Sequence, residues 1–578
     1  MSCSPSSFAL FALLCFCLLS LIAADIPEPI TVDCTNSEVV LELREYRLNI
    51  DDKIEFNTRV YYYDGEPRVP GPTILFQAGS TCSITVVNML DTNTSVSDCH
   101  GHHNEYHCPD TTNLHTHGLH VSPDEDNIDT YILPGQSLTY TYNINDDHLM
   151  GTHWYHAHYH GSTNLQVHGG LFGALLITPH ESYDLPEDLA ILYNSDDTAL
   201  LLLNYFFFGD VPSLPGTVKN YIDVAEGYNN TNTIPLEFDN SASDLESFYT
   251  VNGLYQPTLD LEVNVTRLLR IVHASGFVPI MVGFTGPAGG QDCTIRLVAR
   301  DGVFHETPYL DLNTIVLLQG TRADIAVRCT TAGMRTLALR PDDVADALLG
   351  TDDSFRQNIL MRLNVEQTDS EPVELPTSQA PLPSYLDDLR SLETSEVVGG
   401  YLDEGYEIIM GVTTEGVYAI NEVAFPGYGE NEYLVEMCLN KVYEFHLGVP
   451  GSHSAARRHG QRQAIPKPPA HPWHQHINHF QIVDNGDDET GEYHRVGEWR
   501  DVASALYPDG IVIRSRPVDY PGEHIAHCHV LEHEDHGMMA LLKVFAADAP
   551  ECGGGEDGAD DGDGSGASSI AFSTNALF

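Results

Sequence analysis

Between His527 and Met538 the chain reads HCHVLEHEDHGM, a cysteine flanked by two histidines and followed at fixed steps by a further histidine and a methionine. On an extended strand successive side chains point to opposite faces, so His527 and His529 would aim one way and Cys528 the other. One strand could then serve two metal centres. Cys528, His533 and Met538, joined by one more histidine, make the donor set that suits blue copper, a trigonal His2Cys site with a weak axial methionine. Three other His-x-His pairs occur: His115 and His117 in NLHTHGLH, His156 and His158 in WYHAHYH, and His474 and His476 in HPWHQHINHF. Each pair on a strand would turn both imidazoles to one side. With His527 and His529 they make eight imidazoles, too many for one ion and a reasonable number for three coppers with oxygen species between them. His471, three residues before His474, is the candidate for the missing ligand of the cysteine site. Zinc is the commoner metal of His and Cys, but ten histidines in ordered motifs, one bracketing a cysteine, with a methionine at the right step, favour copper.

The elements that must position these residues read as strands. SITVVNML, LTYTYNI, LLRIVHAS and TIVLLQG are short β-rich runs punctuated by Gly and Pro, and few long segments carry a helical period. The expected class is all-β. Internal similarity divides the chain. PTILFQAGSTCSITVVNM from Pro72 and PTLDLEVNVTRLLRIVHA from Pro257 share an opening and a rhythm, and GQSLTY from Gly135 matches GTRADI from Gly320 at the same offset. GTHWYHAHYH at Gly151 lies over GEHIAHCHV at Gly522, with His156 and His158 on His527 and His529. These matches imply three copies of one β-domain, drawn at 25–182, 183–372 and 396–548. Residues 373–395, containing PVELPTSQAPLPS, are the expected linker. The Gly- and Asp-rich stretch 549–578 has too little apolar content to fold and reads as an acidic disordered tail.

Bulk properties bound the setting. A chain of 578 residues exceeds one core. With 27 Lys and Arg against 83 Asp and Glu, the formal charge of −56 excludes nucleic acid and anionic membranes as natural partners and would concentrate cations around any opening. Residues 1–24 end in an apolar run before Asp25 and read as a secretory signal peptide, so a secreted protein is expected, with no membrane insertion of the mature chain. Once Cys3, Cys15, Cys17 and Cys528 are set aside, eight cysteines remain (Cys34, Cys82, Cys99, Cys108, Cys293, Cys329, Cys438 and Cys552), an even set that suits disulfides. Their pairing cannot be deduced. Sequons at Asn93, Asn229 and Asn264 agree with a glycoprotein. His100, His102, His103 and His107, between or beside Cys99 and Cys108, read as a polar disulfide loop rather than a further metal site. The basic stretch from Arg457 to Lys467 reads as an ordinary flexible loop, with a reductant entry as the alternative.

The four histidine segments resemble the copper-binding signatures of the multicopper oxidases, the family of laccases, ascorbate oxidase, ferroxidases and copper-efflux oxidases. VPGPTI at Val69 and the Asp301-Gly302 turn followed by LLQGTRADI extend the likeness over nearly all of residues 39 to 548. The resemblance implies three cupredoxin-like Greek-key β-sandwiches, with a trinuclear cluster between the first and third, and four copper ions. It implies type 1 copper on His471, Cys528 and His533 with Met538 axial, and type 2 copper on His115 and His474. The type 3 pair would take His117, His156 and His529 on one ion and His158, His476 and His527 on the other. Glu534 and Asp126 match carboxylates assigned to proton delivery. The implied activity is laccase-like: single electrons taken from phenolic or similar small reductants through Cys528 to His527 and His529, and four of them delivered to O2 to give water. A metallo-oxidase acting on Fe(II) or Mn(II) is the alternative, and a non-catalytic copper carrier a lesser one. Two departures inform: Thr116 stands where laccases commonly have Trp, and Met538 implies a lower type 1 potential than the Leu or Phe of many fungal enzymes. The ten methionines form no Met-rich insert. Oligomeric state is not legible.

Overall fold

The computed structural model describes residues 26, 28–50, 54–90, 103–195, 198–207, 247–276, 279–285, 292–306, 309–339, 359–399, 406–448, 471–486, 493–504 and 510–553. The signal segment, the basic stretch 457–467 and residues 554–578 lie outside them, as do His100 and His102. The start of the expected disordered tail is structured instead, a 3-10 turn over Pro550–Cys552 that a disulfide ties to Cys438.

Period-two patterning becomes strands wherever one face can be covered. Thr81–Asn88 alternates strictly between half-buried and buried residues, with Cys82, Ile84 and Val86 fully buried, so its inner face packs while Ser83 and Thr85 stay near solvent. The strands form six sheets that face each other in pairs. In the first pair, Thr31–Asp33, Thr73–Gln77, Phe172–Thr178, Gly151–His156 and His115–His117 make one sheet, and Glu66–Arg68, Ile54–Tyr63, Ser37–Ile50, Thr81–Asn88 and Ser137–Asn143 make the other. Leu41, Ile84 and Tyr142 from one sheet meet Ile74, Tyr155 and Leu175 from the other in a single core. The second pair runs from Ala199–Phe207 to Ile359–Glu366 and joins Leu269 and Ile325 to Leu337 and Leu363. The third runs from Val397–Val398 to Met539–Phe545 and joins Phe445 and Ile513 to Trp473, Cys528 and Met538. Each is a β-sandwich, and helices are few and short. The fold is all-β.

The repeated segments hold equivalent places. Thr73–Gln77 lies parallel to Phe172–Thr178, and Thr258–Glu262 lies parallel to Ile359–Glu366. Gly151–His156 and Gly522–Cys528 each sit between two antiparallel neighbours, one of which carries a histidine of a His-x-His pair.

The segment expected to be a simple linker packs instead. Tyr385, Leu386 and Leu389 join Leu149 of the first sandwich, Val303 of the second and Val442 and Trp499 of the third in one apolar cluster. Its apolar residues are few and spaced by Pro, Ser and Asp, so they carry no strand or helix period, yet they cover the seam between sandwiches. Disulfides join Cys34 to Cys82, Cys293 to Cys329 and Cys438 to Cys552, and Cys108 is disulfide-bonded as well. Among the described residues Cys528 is the one free cysteine. No helix among them is long and apolar enough to cross a membrane.

Candidate metal centres

Cross-strand pairing brings the histidines together two at a time. In the first sandwich His115 lies opposite His156 and His117 opposite Trp154. In the third, His474 lies opposite His527 and Trp473 opposite Cys528. The two sheets present these edges to each other. The His115 ring stacks on His476 with centroids 3.8 Å apart, and His117 stacks on His474 at 3.8 Å. All eight imidazoles are buried.

Several of their outer nitrogens are held by the protein, which leaves the inner ones convergent. His115 Nδ1 donates to Asp126 Oδ2 at 2.7 Å, His474 Nδ1 to the Asp501 carbonyl at 2.9 Å, and His156 Nδ1 to the Ala157 carbonyl at 2.9 Å. Such partners fix the tautomer and ring angle of a metal-binding imidazole. The Nε2 atoms of His115 and His474 then face each other at 3.5 Å. Nε2 of His527 lies 3.1 Å from that of His158 and 3.2 Å from that of His476. Both nitrogens of His117 and His529, and Nε2 of His156, have no hydrogen-bond partner. An unpartnered buried polar atom costs free energy, and a metal ion is what would satisfy so many acceptors at one point. Burial pushes these imidazoles well below their ordinary pKa, to about 4 for His158 and His474, so they are neutral and able to ligate at pH 7.

The opposite face of the Gly522–Cys528 strand builds a second site. Cys528 Sγ lies 3.5 Å from His471 Nδ1 and 3.7 Å from His533 Nδ1, and those nitrogens are 3.2 Å apart. A point about 2.0 Å from all three atoms exists, a distance at which first-row metals bind N and S ligands. Burial pushes the Cys528 thiol up, so without a cation it stays protonated; a bound metal removes that proton. Met538 is fully buried. Its carbonyl accepts from Cys528 N–H at 3.0 Å and its own N–H donates to the His533 carbonyl at 2.9 Å. His533 is the partly exposed member of the site, with the Tyr418 ring stacked on it at 4.4 Å.

Both candidate acids lie against the cluster. Asp126, buried at the end of a turn from Ser122, accepts from His115, from Thr116 N–H at 2.9 Å and from the Thr116 hydroxyl at 3.0 Å, and stands 3.5 Å from His476 Nδ1. Glu534 is fully buried in the short helix Leu531–Asp535. Its Oε1 accepts from the Thr163 hydroxyl at 3.0 Å, and its Oε2 lies 3.1 Å from His527 Nδ1. Burial, then neighbouring Asp535, holds its pKa well above the carboxylate range, so it keeps a proton.

Sequence reasoning missed several contributors. Asp535 accepts backbone N–H bonds from Gly161, Thr163 and Asn164 at 2.7, 3.1 and 2.9 Å, capping the helix Thr163–Gly169 and tying the third sandwich to the first. Asp501 and Arg322 form a buried bidentate pair beside His117 and His474. Their only signal was one Arg opening a strand and one Asp in a bend between two short strands. The described part of the histidine loop is a contact between sandwiches: His103 stacks on Phe425 at 5.3 Å, and Asn104 Nδ2 donates to the Phe425 carbonyl at 3.1 Å.

Two family profiles, both described as Multicopper oxidase, match residues 48–182 and 449–548, which span all four His-x-His pairs and the cysteine site. The chain belongs to the multicopper oxidase family. As such it is a copper oxidoreductase that uses O2 as acceptor. Among curated relatives, this multicopper oxidase is 24% identical to the iron transport multicopper oxidase of Kluyveromyces lactis, over 76% of its own length and 68% of that protein's. It is 22% identical to a laccase of Bacillus stratosphericus, over 90% and 97% of the two chains. Among solved structures, the McoA multicopper oxidase of Aquifex aeolicus aligns with a TM-score of 0.64 at 19% identity, covering 90% of this chain and 99% of that one. A Campylobacter jejuni multicopper oxidase, described as a metallo-oxidase, aligns at 0.60 with 20% identity over 91% and 98%. The sandwiches are therefore cupredoxin-like.

Proposed function

We propose that this multicopper oxidase is laccase-like, removing electrons one at a time from phenolic or similar small organic reductants and passing four to O2 to give two waters. Copper bound at the two sites supplies the one-electron acceptor near the surface and the O2-reducing centre within. Four ions would be held: a type 1 copper by His471, Cys528, His533 and Met538, a type 2 copper by His115 and His474, and a type 3 pair by His117, His156 and His529 and by His158, His476 and His527. The observation that carries the substrate reading is the donor edge: His533 is the partly exposed ligand, and an aromatic ring, Tyr418, lies over it. An aryl reductant can pack on such an edge. Cys528, bonded through the backbone to His527 and His529, is the covalent link between the sites. Glu534 holds a proton beside His158 and His527, and Asp126 orients His115 and His476. We further propose that the protein is secreted and glycosylated, in keeping with its disulfides.

A metallo-oxidase is the second reading. The net charge of −56 would draw cations to the surface, and relatives described as iron-transport and metallo-oxidase proteins agree with it. Steady-state oxidation of a phenolic dye against Fe(II) by the copper-loaded protein decides between them. The laccase-like reading expects the larger kcat/KM for the dye; a preference for Fe(II) of about tenfold, some 1.4 kcal/mol, reverses the assignment.

A further inference from the structure

The second sandwich supplies none of the clustered histidines, yet two of its residues touch the cluster. Gly320 has a positive φ of +80, and a Cβ there would fall 2.6 Å from Nε2 of His529, so only glycine permits the approach. Two residues on, Arg322 is fully buried at the start of the strand Arg322–Cys329. Its Nη1 and Nη2 donate to Oδ1 and Oδ2 of Asp501 in the third sandwich at 2.7 and 2.6 Å. Its Nε donates to the Thr152 carbonyl of the first sandwich at 3.1 Å. At Gly118, which follows His117 with a φ of +95, a Cβ would collide with this guanidinium. One cation is thereby bonded to all three sandwiches and lies against Gly118, the residue that follows a cluster histidine.

Asp501 faces the cluster with both its polar ends. Its carbonyl accepts from His474 Nδ1 at 2.9 Å, and its Oδ1 lies 3.5 Å from His117 Nε2. His117, His474 and Asp501 could on their own hold a metal ion, since their ligand atoms lie within 4.8 Å of one another. A free carboxylate there would add a hard anionic ligand to an imidazole set. We infer that Arg322 is a positioning residue for the type 2 copper: by engaging both oxygens of Asp501 it keeps that carboxylate out of the coordination sphere and fixes the carbonyl that orients His474. The bidentate fork matters as well as the charge, because a lysine can satisfy only a point contact.

This inference rests on the assignment of His115 and His474 to type 2 copper. The test is EPR and copper retention of the copper-loaded full chain as wild type, Arg322→Lys and Asp501→Asn. Arg59→Lys serves as the control, since Arg59 makes a comparable buried pair with Asp110. Arg322→Lys and Asp501→Asn should alter the type 2 hyperfine splitting, and type 2 copper should be lost at about tenfold lower chelator concentration, as is usual when a residue behind a ligand is changed. The blue absorption should be unchanged and kcat should fall with KM for the reductant constant, whereas Arg59→Lys should move none of these. Unchanged type 2 parameters in Arg322→Lys overturn the inference. So does an equal shift in Arg59→Lys, or joint loss of blue and type 2 signals in both cluster variants, which would make the pair a pillar of the fold only. A wild type with copper bound but no type 2 signal refutes instead the ligand assignment.

Discussion

Cys528→Ser should abolish the blue absorption and reduce dye oxidation to background, while the type 2 EPR signal persists. The sulfur is the one soft donor in the His471–Cys528–His533 triangle, and a serine hydroxyl at that point is a hard, protonated donor that suits Cu(II) poorly. The same residue is the covalent connection to His527 and His529, so its loss removes both the acceptor and the link. The eight cluster imidazoles and their outer partners are untouched, because Cys528 points to the opposite face of its strand from its two neighbours. Absorption spectroscopy and EPR on the purified variant check both halves. Retained turnover would show that electrons enter the inner centre by some other way.

Glu534→Gln carries the second large effect, a fall in kcat of about 10²- to 10⁴-fold, the range for loss of a positioned proton donor. Glutamine preserves shape and still accepts from Thr163, so the loss reads on the proton alone. The sign with pH follows from burial. Because the Glu534 pKa is raised, the acid form is the working form, and wild-type kcat should decline as pH rises through that raised value; the glutamine variant should lack this limb. The corresponding stability effect has the same direction: a carboxyl that holds its proton better folded than unfolded favours the fold at low pH, and this advantage is lost as pH climbs from the unfolded value through the folded one. A pH profile of kcat within about twofold of wild type at every pH would remove Glu534 from proton delivery.

The sandwich strands and the histidine motifs were legible because both are local. Alternation along SITVVNML shows which face is inner, and the spacing in HCHVLEHEDHGM carries three donors of one site and two of another within twelve residues. Asp126 and Glu534 were found only through likeness to known sequences, since nothing about an Asp or Glu in so acidic a chain separates it from a solvated charge. Arg322, Asp501 and Asp535 were not found at all. Arg322 and Asp501 are 179 positions apart, and Asp535 caps a helix more than 370 positions away; neither pairing leaves a trace in local pattern. The packed linker was missed for a related reason: Tyr385, Leu386 and Leu389 gain their burial from three separate sandwiches, so no periodicity within the segment records it.

The central claim is that two kinds of copper centre, joined through Cys528, couple one-electron oxidations to the full reduction of O2. Oxygen uptake measured against dye oxidised tests it in one experiment. The account predicts four molecules of one-electron reductant consumed per O2, with no hydrogen peroxide accumulating. Two per O2 with peroxide released, or dye bound without oxygen uptake, would contradict it.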